Sequence, residues 1–164
     1  MSRSRRALTI AIALMLVFSL ATTAVAAVKI YEGKGVASAR LGMRDSTAAS
    51  KIGKVTKSYR DRSYAGRVVY RYCFGRKMKN GRYPLEMFSD KQRKVFQFSA
   101  NTGSYVTTKG IKVGSTENAL RKAYGSKLVK RDGSVYDRYT LGKAPATDFY
   151  VKGGKVSSII VRAR

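Results

Sequence analysis

Apolar and polar positions alternate in several stretches of the chain with the period of two that is typical of β-strands. In residues 68–74, valine and aromatic side chains occupy every even position. Near the C-terminus, residues 147–151 and 156–161 are rich in β-forming residues, and Gly153 and Gly154 lie between them. Two adjacent glycines accept the positive φ angles of a tight hairpin turn. The pattern therefore predicts an antiparallel hairpin at this end of the sequence.

Direct pairing across this hairpin divides its side chains between two faces, because successive residues of a strand point in opposite directions. One face is apolar and consists of Phe149, Val151, Val156 and Ile160. The other face is mixed and consists of Tyr150, Lys152, Ser157, Ile159 and Val161. We expect the apolar set to pack on a helix and the mixed set to be at least partly exposed.

Two short stretches have helical spacing instead. In the second one, Thr116 is a suitable N-cap and Glu117 places a negative charge in the first turn. Leu120 and Tyr124 fall on one face, and Gly125 ends the helix. The corresponding residues of the earlier stretch are Ala48, Ile52 and Gly53. Helices this short do not stand alone in water, so each must dock on a sheet.

Three short motifs occur twice along the chain, in the same order. The pairs are Leu41-Gly42-Met43 with Val113-Gly114-Ser115, residues 68–75 with 135–142, and residues 94–98 with 155–159. Such recurrence indicates a duplicated supersecondary unit. The sequence therefore predicts an α+β fold, a tandem repeat of a short helix packed on a three- to four-stranded antiparallel sheet. The repeats would cover residues 27–100 and 111–164, joined by a linker at residues 101–110 that is rich in Gly, Ser and Thr.

These motifs resemble a known pattern. Leu41-Gly42-Met43, followed by a short helix that ends at Ile52-Gly53-Lys54 and then by antiparallel strands, is similar to the SmpA/OmlA-like envelope domain. The tandem arrangement in one secreted chain resembles the beta-lactamase inhibitory protein family. The resemblance implies that helices pack behind the sheet and that the free sheet face binds another protein. Members of that family carry disulfides, whereas Cys73 is the single cysteine here.

The N-terminal segment, residues 1–26, has the order of features of an export signal. Arg3, Arg5 and Arg6 precede an apolar stretch at residues 8–20, and Ala24-Val25-Ala26 offers small residues at a cleavage site. The expected location is therefore secreted or extracytoplasmic. The alternative is an uncleaved N-terminal membrane anchor, because the uncharged stretch is just long enough to span a bilayer.

The charge of the chain is strongly positive. It contains 34 Lys and Arg against 9 Asp and Glu, a formal net charge of +25. This favours anionic partners, and the alternative is that it only keeps the protein soluble. No histidine occurs, and the spacing of residues fits no catalytic triad, metal site or phosphate loop. We therefore expect no enzyme activity, cofactor or metal.

The candidate residues for partner binding lie in the extra length of the first repeat and on the mixed hairpin face. Tyr and Arg are the residues that interfaces favour, and insertions in repeat proteins map to loops on the binding side. The candidates are Tyr59, Asp61, Tyr64, Arg76, Lys77, Lys79, Arg82, Tyr83, Tyr150 and Ile159. The alternatives are a solvated hairpin loop and half-buried strand tyrosines.

The sequence thus favours an exported, non-enzymatic module that binds a protein of the cell envelope or exterior. The alternative is a structural or polyanion-binding basic envelope protein, which would hold an anionic polymer or lipid surface by charge. A small hydrolase is a third interpretation. A nucleic-acid partner is not expected, because an exported protein seldom meets one.

Overall fold

β-Strands dominate the protein. The computed structural model describes residues 26–64 and 67–163. The strands are β1 Val28–Tyr31, β2 Gly35–Val36, β3 Ala39–Arg40, β4 Val55–Tyr64, β5 Arg67–Phe74, β6 Leu85–Ser89, β7 Val95–Ala100, β8 Tyr105–Thr107, β9 Leu128–Arg131, β10 Asp137–Leu141, β11 Ala146–Lys152 and β12 Lys155–Arg162. The helices are α1 Asp45–Ile52 and α2 Glu117–Tyr124, and a 3₁₀ turn, Gly125–Lys127, follows α2.

Eight strands form one antiparallel sheet in the order β4-β5-β6-β7-β12-β11-β10-β9. A second sheet has the order β3-β2-β1-β8, and β1 runs parallel to β8. Strand β8 lies inside residues 101–110, the segment that the sequence predicts to be a linker.

The predicted fold class, an α+β tandem repeat of helix-on-sheet units, is wrong. The described part of the chain is mostly β, with two helices and two large sheets. Strand β7 pairs directly with β12, so the eight strands belong to one continuous sheet. The physical reason is that a sheet ending at β7 or β12 would leave a row of backbone N–H and C=O groups unpaired. Non-local pairing of this kind leaves no mark in the local pattern of the sequence.

Both helices lie where helical spacing predicts them. The Thr116 side chain accepts a hydrogen bond of 3.1 Å from the backbone N–H of Ala119, which caps α2. Leu120 and Tyr124 are buried, and the Tyr124 ring lies 5.3 Å from that of Phe149. Helix α2 is therefore fixed on one face of the large sheet. Helix α1 presents smaller side chains to the core, namely Ala48 and Ala49.

The core lies between the helices and that face of the sheet, which we call the helix-facing face. Its largest fully buried side chains are Tyr139, Phe98, Phe149, Ile30, Leu85, Met87, Leu120 and Ile159. Ile30 comes from β1, so the second sheet also closes over this core. Burial of this apolar area is the main stabilising contribution to the fold.

The predicted C-terminal hairpin is present as β11 and β12, and Gly153 and Gly154 have φ angles of 56° and 71°. The predicted register is correct only near the turn. Beyond it, a bulge inserts Ser157 into β12, so that Tyr150 pairs with Ser158 and Phe149 with Ile159. A shift of one residue moves every later side chain to the other face.

The predicted export signal, residues 1–26, lies almost entirely outside the described residues. Among the residues that the structure describes, no helix has both the length and the apolar character needed to cross a membrane.

Candidate partner-binding face

The large sheet has a second face, which we call the open face. Strand register places these side chains on it: Tyr59, Asp61, Arg71, Cys73, Glu86, Phe88, Gln97, Ser99, Asp148, Tyr150, Ser158, Ile160 and Arg162. The helices lie on the other side, where α2 contacts Phe149 and Asp45 of α1 bonds Tyr72. In the described part of the chain, the open face is therefore not covered by a helix.

An arginine held between aromatic rings lies on β5 of this face. The Arg71 guanidinium is 5.6 Å from the Tyr59 ring centroid and 5.4 Å from that of Phe88. Its Nη2 donates a hydrogen bond of 2.6 Å to Glu86 Oε1, and its Nη1 is 3.5 Å from Asp61 Oδ2. Two rings and two carboxylates thus fix one guanidinium. We call these five residues the aromatic–arginine cluster.

Two groups on this part of the open face have a raised pKa, the Tyr59 phenol and the Cys73 thiol. Burial raises the pKa of the Tyr59 phenol, although the positive charge of Arg71 acts in the opposite direction. Burial also raises the pKa of the Cys73 thiol. Tyr59 is therefore a neutral phenol at physiological pH, and Cys73 is an unreactive buried thiol rather than a nucleophile.

The basic loop, residues 75–84, is fastened at one end of the open face. Asn101 Nδ2 donates a hydrogen bond of 2.9 Å to the carbonyl oxygen of Tyr83, and the Arg82 guanidinium reaches Asn101 Oδ1 at 3.4 Å. The two ends of the loop are close together. A Cβ atom added at Gly75 would lie only 2.9 Å from the Pro84 ring. With its φ of 79°, that position requires glycine.

The basic loop and the sheet together line a cavity of about 360 Å³, which we call the end cavity. Its lining includes Arg82 of the loop, Tyr136 of the β9–β10 connection, and Glu86, Ser99, Tyr150 and Ser158 of the sheet. The loop and the mixed hairpin face, which the sequence analysis singles out separately, therefore meet at one site.

The opposite end of the sheet carries a wider depression of about 870 Å³. Arg67, Lys91 and Lys94 line it together with Phe96. Arg162 also lies there, and its guanidinium forms an ion pair with the buried carboxylate of Asp148. This end is thus basic and partly apolar.

The structure distributes the predicted candidates as follows. Tyr59 and Asp61 belong to the aromatic–arginine cluster, and Tyr150 and Arg82 line the end cavity. Four further candidates belong to the basic loop. Arg76, Lys77 and Lys79 are exposed there, and Tyr83 is half-buried. Tyr64 is the last residue of β4, where its backbone pairs with Arg67.

The prediction for Ile159 is wrong. Ile159 is 1% exposed and pairs with Phe149 on the helix-facing face, while Ile160 takes the place on the open face. The cause is the bulge at Ser157, which no residue preference near the turn signals.

Sequence reasoning missed several side chains of the open face. Arg71 and Glu86 were not among the candidates, and neither were Phe88, Tyr136 and Ser158. A signal for Arg71 exists, because the period of two along β5 places it on the opposite face from Tyr70 and Tyr72. Glu86 carries no such signal, since its neighbours on both sides are also buried.

Within the described ranges, no group of three or more His, Cys, Asp or Glu side chains could hold a metal ion. The acidic residues of the open face are instead engaged by arginines, Glu86 by Arg71 and Asp148 by Arg162.

Comparison with known proteins gives a likeness of fold. No family model and no curated protein matches the sequence. Among solved structures, the chain is similar to the crystal structure of the uncharacterized protein yfeY from Escherichia coli, with a TM-score of 0.55 and 17% sequence identity. The match covers 82% of this chain and 99% of that chain. At this identity the likeness concerns the fold alone.

Proposed function

We propose that this protein is an exported, non-enzymatic binding protein that holds a protein partner of the cell envelope or exterior on its open face. The observation that carries the proposal is the aromatic–arginine cluster, in which Tyr59 and Phe88 flank a guanidinium on a sheet face without a helix over it. The resemblance of the sequence to the SmpA/OmlA-like and beta-lactamase inhibitory protein families also points to binding by the free sheet face.

The cluster has the composition and the rigidity of an interface centre. Tyr and Arg are the residues that dominate binding energy in protein interfaces. Ordering one flexible side chain on binding costs about 0.5–1.5 kcal/mol. Glu86 and Asp61 already fix Arg71, whose side chain is 24% exposed, so much of this cost is avoided.

The basic loop supplies the long-range part of the interaction. Arg76, Lys77 and Lys79 are exposed, and none of them forms an ion pair with an acidic side chain of the described residues. Unpaired charges at the rim of an interface accelerate association with an oppositely charged surface. The partner therefore presents an acidic surface next to the part that contacts Tyr59.

Site-specific photo-crosslinking tests this proposal. A benzophenone amino acid replaces Tyr59 in one variant and Lys122 in another; Lys122 is exposed on α2, on the other side of the sheet. We expect a discrete protein adduct from the Tyr59 position and none from the Lys122 position. Equal adducts from both positions, or none from Tyr59, would place the binding surface elsewhere.

Binding kinetics with the captured partner separate the two contributions. Charge reversal of Arg76, Lys77 and Lys79 to Glu should slow association and reduce its dependence on salt. Tyr59→Ala should mainly accelerate dissociation. Unchanged rates in both variants, with native circular dichroism, would leave the charge as a solubility feature.

The second candidate is a basic envelope protein that holds an anionic polymer or lipid surface. It is favoured by the positive charges at both ends of the open face, Arg76 to Lys79 at one end and Lys91 and Lys94 at the other. Binding of polyglutamate or anionic vesicles would then weaken steeply with salt, whereas contact with the aromatic–arginine cluster would not. Binding that persists at high salt supports the protein partner.

A further inference from the structure

We propose that the end cavity binds one acidic sugar ring, a hexose-sized unit with hydroxyl groups and a carboxylate. This goes beyond the proposed function, because it concerns a small ligand and needs no protein partner. It rests on the polar floor, the aromatic wall and the cationic rim of the cavity. Two members of the aromatic–arginine cluster, Arg71 and Glu86, also line this cavity.

The floor of the cavity is polar, and the residues that form it are almost fully buried. Glu86 and Ser158 are each 5% exposed, Ser99 is 6% exposed and Asn101 is 8% exposed. Buried polar groups are normally hydrogen-bonded. The Ser158 hydroxyl has no hydrogen-bond partner in the part of the chain that the structure describes, and Ser99 Oγ accepts a bond from Gln97 but donates none. The floor therefore offers two serine residues with hydrogen-bonding capacity that no other described residue uses in full.

These groups favour a ligand that both donates and accepts. A serine hydroxyl has one proton to give and two lone pairs to fill, and a carboxylate only accepts. A sugar hydroxyl matches both, since it also donates and accepts. A purely apolar ligand would leave the Ser158 hydroxyl without a partner, which is unfavourable.

The walls of the cavity are aromatic and apolar. Tyr136 and Tyr150 line it together with Ile160. Lys152 lies 5.5 Å from the Tyr136 ring centroid and so restrains that ring. Tyrosine combines an apolar ring face with a polar tip. The ring face can pack against the C–H groups of a sugar, and the tyrosine hydroxyl can form hydrogen bonds with the hydroxyl groups of the sugar.

The rim of the cavity favours a negative charge. Arg82 is exposed, and its guanidinium makes one long bond to Asn101, which leaves most of its N–H groups free. A guanidinium binds a carboxylate through two parallel hydrogen bonds. The charge of Glu86 is offset by Arg71 at 2.6 Å, so an incoming carboxylate meets a lining that is positive overall.

The size of the cavity limits the ligand. Sites for small molecules usually enclose about 300–1,000 Å³, and the end cavity, at about 360 Å³, is among the smallest of these. It therefore accommodates a single ring rather than a long segment of polymer. The ring can come from a free sugar acid or from one unit of a glycan that continues outside the cavity.

Titration of the whole mature protein with glucuronate, glucose and acetate, followed by amide chemical shifts, tests this inference. We expect saturable shifts around Ser158 with glucuronate, on the order of tenfold weaker binding of glucose because it lacks the charge, and no shifts at the floor with acetate. Arg82→Gln should lower the affinity for glucuronate to that for glucose. Tyr150→Leu should weaken both, and Tyr136→Leu is a second variant at an exposed position if Tyr150→Leu does not fold.

Arg76→Gln is the matched control. This substitution removes the same charge from the same loop, and Arg76 does not line the cavity. It should leave glucuronate binding unchanged. No saturable shift with glucuronate would overturn the inference. Equal losses of glucuronate affinity in Arg82→Gln and Arg76→Gln would also overturn it.

A glucuronate-containing oligosaccharide that binds more tightly than the monosaccharide would identify a glycan as the source. Equal affinities would identify a free sugar acid. Crosslinking from Tyr59 is measured separately, so failure here leaves the protein partner untouched.

Discussion

Ser157 Oγ donates a hydrogen bond of 3.0 Å to the carbonyl oxygen of Tyr150, on the neighbouring strand of the C-terminal hairpin. Ser157 is the extra residue of the β11–β12 bulge, because Val156 pairs with Val151 and Ser158 pairs with Tyr150. A bulged residue leaves the regular ladder of backbone hydrogen bonds. The serine hydroxyl supplies one bond at that place, so Ser157 suits the position that decides which face Ile159 occupies.

The first prediction compares Ile159→Ser with Ile160→Ser. Ile159 is 1% exposed on the helix-facing face, whereas Ile160 lies on the open face. Loss of a buried isoleucine should lower the free energy of unfolding by about 2–5 kcal/mol. The same change at the half-buried Ile160 should cost about 1 kcal/mol or less. Urea unfolding measures both, and the reverse order would mean that the hairpin pairs without the bulge.

Local rules of sequence predicted the elements that depend on neighbouring residues. The bounds of α2 follow from caps at Thr116 and Gly125, and the end of α1 follows from Gly53, whose φ is 133°. The position of the C-terminal hairpin follows from Gly153 and Gly154. In each case the physical cause, a capped turn or a positive φ, lies within a few residues of its effect.

The features that were missed depend on distant parts of the chain. The pairing of β7 with β12 joins Phe98 to Val161, and nothing near either residue indicates it. Glu86 and Asp148 are buried carboxylates in strands, and Arg71 and Arg162 neutralise them. A single sequence does not reveal which arginine reaches which carboxylate.

The second prediction concerns the docking of α2. Leu120 is fully buried, and Leu120→Ala should lower the free energy of unfolding by about 2–5 kcal/mol through lost contacts and a cavity. Lys122→Ala, on the exposed side of the same helix, is the matched control and should change it by about 0.5 kcal/mol or less. Denaturant melts decide the matter. Equal effects of the two variants would show that α2 does not dock through Leu120.

The third prediction concerns acid stability. Glu117 accepts hydrogen bonds from Tyr139 and from Arg121, the latter at 3.0 Å, and these partners, Tyr139 first, hold the pKa of Glu117 below its usual value. A carboxylate with a lowered folded pKa stabilises the protein above its unfolded pKa, about 4.3 for glutamate. That contribution is lost as the pH falls through the folded pKa. Urea midpoints of the wild type and Glu117→Gln should therefore differ near neutrality and converge in acid. A constant difference at all pH values would show that the carboxylate charge is not involved.

The last prediction concerns alkaline stability. The Tyr72 hydroxyl donates a hydrogen bond of 2.8 Å to Asp45 Oδ2, at the start of α1. Burial, and then this bond to Asp45, raise the pKa of Tyr72 to about 12. The neutral phenol is thus favoured in the folded protein, so its contribution to stability is complete below the unfolded pKa of about 10. This contribution is lost as the pH rises through the folded pKa.

Between those two pH values the wild type should lose more stability than Tyr72→Phe, which has no proton to release at this position. Urea unfolding of both proteins across that range measures the difference. Parallel curves for the two would show that the Tyr72–Asp45 bond does not couple protonation to folding.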